Sequence, residues 1–282
     1  MFEAPAAVVS AANHEYYRTL CQLLLSAERH RVNDRCAVLA FDLGLSNGDR
    51  AHLRERFPWC AVETVAFANL PPHVRQLDMC AWKPVVIEET LRVHGGLVLW
   101  LDSATVVRAP LEQVFDRIAR DGIIALAGQS HLSRWCHEAT FAFMRTAPEL
   151  RKRRCRAAGV LGFDGRRADV QALVTRWREY CLVEECIAPA GATRGNHRYD
   201  QAVLNNLLAE FDALRGRADE PVEDVDISSV RPADWVSTRN KVAPWVPLAC
   251  DPLVRAWYRT CKRLDRAALA ARAAFSARAA DR

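Results

Sequence analysis

The sequence predicts an α/β protein, a parallel, doubly wound sheet with helices on both faces. Three observations carry this. Over the first 110 residues, short apolar runs alternate with segments of helical periodicity. The runs close on small, polar or acidic residues. Half of the 282 residues are hydrophobic, enough for one large domain with a real core.

AAVVSAAN (6–13) is an apolar run closing in Ser, Ala and Asn, a buried first strand. Segment 15–29 has helical periodicity, with Tyr16, Leu20, Leu23, Leu24 and Ala27 on one face. RCAVLAFDLG (35–44) reads as the second strand, closed by Gly44. A short polar helix (47–57) and a third strand (60–67) follow. A connection then leads into a helix, with Pro84 in its first turn, where the missing N–H costs nothing. Gly95 and Gly96 stop that helix. Next comes LVLWL (97–101), running straight into Asp102. In sheets of this type ligands bind beyond the carboxyl ends of the strands. Asp102 therefore faces a binding crevice, or else forms a turn and caps the next element.

The second half is less regular. Strands are expected at 122–128 and 158–165, and 139–144 is a short strand or part of a helix. A long amphipathic helix is expected over 168–187, and another over 200–211, opened by Asp200. A small-residue loop precedes Asp200. An acidic connection and a Pro-punctuated loop lead to an Arg- and Ala-rich, helical segment from Leu253.

Composition excludes several classes. The net charge of +5 suits an anionic ligand such as a nucleotide but is too weak to argue for nucleic acid. The ten cysteines are spread singly and none forms CxxC, so a zinc ribbon is not expected; free thiols in a reducing compartment are. The N-terminal segment lacks a basic region and a long apolar stretch. No window reaches the ~20 apolar residues of a membrane span. The chain reads as cytoplasmic. From Arg255 onward eight basic residues face two acidic ones, a solvated helix or a peripheral contact with an anionic membrane. No GxGxxG follows a strand, which argues against a dinucleotide dehydrogenase. SAANHEYYR lacks the Gly-rich phosphate loop of a nucleotidyltransferase.

Four stretches together resemble the GT-A-fold nucleotide-sugar glycosyltransferases, closest to the glycogenin-like and lipopolysaccharide galactosyltransferase group. AAVVSAANHEYY is similar to the first strand, whose end holds the nucleobase. LVLWLDSATVV is similar to the strand carrying the DxD metal motif, AGVLGFD to the strand after it, and YDQAVLNNLL to the D-Q-D-x-L-N helix start. KVAPW is weakly similar to a C-terminal K-P-W stretch. Together they span residues 6–246.

The resemblance implies a mixed, mainly parallel Rossmann-like sheet in one domain over 1–252. Its nucleotide-binding half would be 1–110 and its acceptor half 111–252, with a basic helical tail at 253–282. It implies transfer of a sugar from a nucleotide donor, a UDP-sugar, to an unknown glycan, lipid or protein acceptor, with retention of configuration. Asp200 and Gln201 would stand at the reacting sugar as the catalytic pair, although Asp200 is equally an ordinary helix cap worth ~1 kcal/mol. Ala11, Asn13, Arg75, Lys83, Asp102, Ser103, Gly159, His197 and Lys241 would line the donor. Asn13 is equally a cap for the following helix, Ser103 a turn residue, and His197 a solvated loop residue.

The leaving diphosphate concentrates negative charge, which a divalent cation or cationic side chains must neutralise. The resemblance implies Mn²⁺ or another divalent cation, with Asp102 as ligand. The sequence departs from the pattern at two places. The third DxD position is Ala104, and no His follows His197. Lys83, Arg75 and Lys241 are the cations that could stand in. These departures also motivate a second reading, a non-catalytic nucleotide-sugar-binding or interaction protein on the same fold.

Overall fold

The structure, a computed structural model, describes residues 5–216 together with 236–237. Among them β1 (Ala6–Ala12), β2 (Ala37–Asp42), β3 (Cys60–Thr64) and β4 (Leu97–Leu101) run parallel to one another. A two-residue β5 (Val106–Val107) follows β4, and then come β6 (Ile123–His131) and β7 (Arg154–Asp164). The six-stranded sheet has the order β3-β2-β1-β4-β7-β6. β7 is antiparallel to both β4 and β6, so the sheet is mixed and mainly parallel. β5 pairs separately with β8 (Val236–Ser237).

The helices follow the chain order expected of such a sheet. They are α1 (Tyr17–Arg29), α2 (Asn47–Arg56), α3 (Trp82–His94), α4 (Glu112–Asp121), the short α5 (Leu132–Trp135) and α6 (Glu138–Phe143), α7 (Ala168–Cys181), the short α8 (Glu184–Ile187) and α9 (Asp200–Leu214). α3 packs on α7 and α7 on α9, while α4 lies against β4, β6 and β7. The main core joins alternate residues of β1 and β4 (Ala7, Val9, Ala11; Val98, Trp100) to Ile87 and Leu91 of α3 and Val174 and Trp177 of α7. β1 and β4 are central strands buried on both faces, which is why they read as continuous apolar runs. α3 ends at Gly95, whose φ of 62° closes the helix in the left-handed region.

Three expectations change, and one open alternative is decided. Segment 139–144 is helical (α6), opened by the His137 ring accepting the Ala139 amide. β7 starts at Arg154 rather than residue 158, because its first residues continue the ladder with the far end of β6. The helix expected over 168–187 breaks after Cys181, and Val183 is extended. There the carbonyls of Cys181, Cys186 and Ile187 bond the His73 ring, the Thr140 hydroxyl and the His197 ring. Side chains from elsewhere thus take up the polar groups that the break frees. Tyr16 belongs to the 3-10 turn His14–Tyr16 and is only partly buried. The eight cysteines among the described residues form no disulfide bond with one another. No helix among those residues is long and apolar enough to cross a membrane. Lys241, KVAPW and the basic tail lie outside the described residues.

Candidate functional site

Parallel strands deliver their carboxyl ends to one edge of the sheet, and β4 ends there at Asp102. β7 runs the other way, so its first residues overhang the same edge. Asp102 donates its amide to the Gly159 carbonyl at 2.9 Å, and its own carbonyl accepts from Thr105 in a tight turn. Gly159 leaves the carboxylate room: a Cβ there would lie 3.2 Å from Asp102 Oδ2.

Asp102 Oδ1 accepts from Lys83 Nζ (3.0 Å) and from Trp100 Nε1 (2.8 Å). Lys83, just inside the start of α3, is buried; its Nζ also donates to the Ala158 carbonyl (3.1 Å), lies 3.7 Å from Asp200 Oδ2 and sits over the Trp100 ring. One ammonium thus joins the end of β4 to the start of α9, 117 residues later in the chain than Lys83 itself. Burial opposes the charge of Lys83, but the two carboxylates outweigh it and hold the amine protonated.

Asp200 is the less ordinary partner. It is buried, and its Oδ2 has no hydrogen-bond donor among the described residues. Burial pushes its carboxyl up to about 6; Lys83 opposes the rise and the negative Asp102 adds to it. The preceding Tyr199 holds φ 48°, ψ −118°, a costly conformation for a residue with a side chain. Cys80, itself left-handed at φ 55°, begins the turn into α3; burial and the negative Asp200 push its thiol up to about 12.

The other expected residues divide. Ser103 is buried and accepts from the Thr19 hydroxyl at 3.2 Å. Asn13 accepts the Tyr16 amide at 3.1 Å, the capping alternative, and Ala11 is buried within β1. Gln201 donates to the Arg156 carbonyl at 2.9 Å, and Asn205 bonds both the amide and the carbonyl of that same residue. This pair fastens α9 to the overhang of β7. Arg75 is exposed on the 3-10 turn Pro72–Arg75, with its guanidinium toward the Phe67 carbonyl.

His197, expected to line the donor or else to be a solvated loop residue, is not solvated. It is fully buried, with one ring nitrogen bonded to the Ile187 carbonyl and the other to the His137 amide. Burial lowers its pKa to about 4, so it is a neutral ring that ties loops together. Sequence reasoning missed Trp100 and Cys80 as site residues. Trp100 reads as core, which it is, but its indole N–H reaches forward to the Asp two residues later.

These residues do not make a resident site for a divalent cation. Asp102 Oδ1 is taken by an ammonium and an indole, Ala104 brings no ligand, and Asp200 faces Lys83. Among the described residues no three His, Cys, Asp or Glu side chains converge as a metal site. A hard cation needs about six oxygens, and among the described residues the site offers the remaining oxygen of Asp102 and the Asp200 carboxylate, which already faces Lys83.

No protein-family model and no curated protein matches the chain. Solved structures do. An active-site mutant of LgtC superposes with a TM-score of 0.53 at 18% identity, covering 91% of this chain and 95% of that one. The galactosyltransferase LgtC in complex with donor and acceptor sugar analogs gives 0.45 at 22%, covering 71% and 70%. The WbbM bifunctional glycosyltransferase gives 0.49 at 13%, over 73% of this chain but 38% of its own length. The fold is therefore the GT-A glycosyltransferase fold, a mixed α/β sheet flanked by helices.

Proposed function

We propose that the protein is a glycosyltransferase that moves a sugar from a nucleotide donor, a UDP-sugar, to an acceptor hydroxyl. One observation carries this reading: the buried Asp200 Oδ2, without a hydrogen-bond donor among the described residues, held beside Lys83 at the carboxyl edge of the sheet. A buried acceptor atom left unpaired costs about 1–3 kcal/mol unless a ligand supplies the donor. A sugar hydroxyl is a ligand of that kind.

In this reading Asp200 accepts a hydroxyl of the donor sugar and fixes its ring. Lys83 holds the two carboxylates in register. The free oxygen of Asp102, with Ser103 behind it, is an acceptor for a ribose or sugar hydroxyl. The resemblance implies retention, by attack on the same face that the nucleotide leaves. The bond from the anomeric carbon to the diphosphate breaks, and the acceptor oxygen bonds that carbon. The leaving phosphate takes the acceptor's proton. The protein contributes position and charge around an oxocarbenium-like centre. Charge on the diphosphate would be met by cationic side chains of this chain.

A second reading, a nucleotide-sugar binder without turnover, is favoured by Ala104 at the third DxD position. Hydrolysis of a panel of nucleotide sugars, with and without Mn²⁺, separates the two. Release of free sugar from one donor, lost in Asp200→Asn, supports the enzyme. Donor binding with no release, unchanged in Asp200→Asn, would leave the binder.

A further inference from the structure

The ammonium of Lys83 is already shared between Asp102 and Asp200. A diphosphate beside Asp102 therefore needs a cation from another element. Arginines at the same edge are spent: Arg50 pairs with Asp42, and Arg156 with Asp212 of α9.

Arg194 differs from them. It lies in the loop between α8 and α9, six residues before Asp200. The loop is braced from within. The Thr193 amide donates to the Asn196 side chain at 2.7 Å, and the His197 amide to the Thr193 carbonyl at 2.8 Å. The buried His197 ring anchors its far end. From this turn Arg194 reaches to the connection that leads into α3, where its Nη2 donates to the Asp78 carbonyl at 2.8 Å. Asp78 lies in the 3-10 turn Leu77–Met79, which Cys80 closes, and the Cys80 carbonyl accepts the Lys83 amide at 3.0 Å. Burial is the main cause that raises the Cys80 thiol; Asp200 and Asp102 add to it, and Lys83 and Arg194 oppose it. Arg194 thus shares one electrostatic neighbourhood with the three charged groups of the site. Its side chain is exposed, and it spends one of five N–H donors on a neutral carbonyl. Among the described residues no carboxylate, that of Asp78 included, makes an ion pair with it.

We propose that Arg194 is a further catalytic residue, whose guanidinium binds the diphosphate of the donor and meets the negative charge that collects there as the sugar leaves. It would take the part that a divalent cation would otherwise play. When the bond from the anomeric carbon breaks, its electron pair stays on the phosphate oxygen. A guanidinium fork matches such a group with paired N–H donors. A cation whose hold strengthens as that charge grows favours the transition state over the bound donor. This rests on the glycosyltransferase reading, because it names the residue that meets the leaving group of that reaction.

The test compares binding of UDP and of uridine to the full chain by ligand-observed NMR, in EDTA and again with Mn²⁺. In EDTA the unaltered protein should bind UDP at least tenfold tighter than uridine, a preference that weakens as salt rises. Arg194→Ala should lose most of that preference while uridine binds as before, which shows that the variant folds. Arg194→Lys, which keeps the charge but loses the fork, should fall between and serves if Arg194→Ala fails to fold. A preference that survives in Arg194→Ala, equal binding of UDP and uridine by the unaltered protein, or a preference that appears only with Mn²⁺ overturns the assignment. Binding of neither ligand by the unaltered protein, with or without Mn²⁺, would instead overturn the nucleotide-sugar reading, and the assignment with it.

Discussion

Two strands of the sheet end in the same signature and meet opposite fates. AVLAFD closes β2 at Asp42, and LVLWLD passes from β4 into Asp102, both at the carboxyl edge. Asp42 is saturated by its own neighbourhood. It accepts the amides of Gly44 and Leu45 at 2.8 and 2.7 Å and the Arg50 guanidinium at 2.6 Å. Its side chain is 4% exposed, that of Asp102 47%. The one is a turn built around a carboxylate. The other is a carboxylate with Oδ1 anchored and Oδ2 facing outward past a glycine. The difference lies in what surrounds each strand end. Gly44 and the start of α2 fold back onto Asp42, whereas the turn after Asp102 closes through backbone and leaves its side chain to Lys83.

Substitutions can break this comparison. The largest effect is expected at Lys83. Lys83→Met leaves two carboxylates facing each other and should lower unfolding free energy by about 3–5 kcal/mol, read by urea denaturation. Asp102→Ala should cut donor turnover by roughly tenfold or more, as loss of a charged hydrogen-bond acceptor for the donor does (about 1.5–3 kcal/mol), with a smaller change in stability than Lys83→Met. Asp42→Asn should do the reverse, losing about 2 kcal/mol of stability while turnover stays within about twofold. Equal behaviour of the two Asp variants would erase the distinction.

Acid titration sharpens it. Burial would raise the Asp42 carboxyl, but the Leu45 amide and the Arg50 guanidinium hold it below the usual range. Its stabilising contribution is present above the unfolded carboxylate value and is lost only as pH falls through the lower folded one. Asp200 takes up its proton near pH 6. Turnover should therefore fall as pH drops through about 6, while the Asp42 contribution persists. The smallest expected effect is at Ser103. Ser103→Ala loses the bond from Thr19 and should cost about 1 kcal/mol in thermal unfolding.

Much of the frame was legible in the sequence, for a physical reason. Central strands such as β1 and β4 must be apolar on both faces, and Gly95 must end a helix, so local composition announces them. The direction of β7 was not legible, because an apolar strand reads the same both ways. Its cationic start at Arg154 hid four residues of ladder. Asp102 stood out by its place at a strand end, Asp200 through the resemblance, and Lys83 only as one cation among three. That a single ammonium joins both carboxylates depends on packing that brings the start of α3 to the start of α9, which no local window contains. His197 misled for the same reason. Its loop is polar in sequence, but its ring is buried and bonded by a carbonyl and an amide from two other segments.

The most direct test of the account is calorimetric binding of UDP to the unaltered protein, Asp102→Ala and Asp42→Asn under one condition. The account predicts saturable binding that weakens at least tenfold in Asp102→Ala and is kept by folded Asp42→Asn. Binding indifferent to Asp102, or no binding at all, would contradict a nucleotide site at the end of β4.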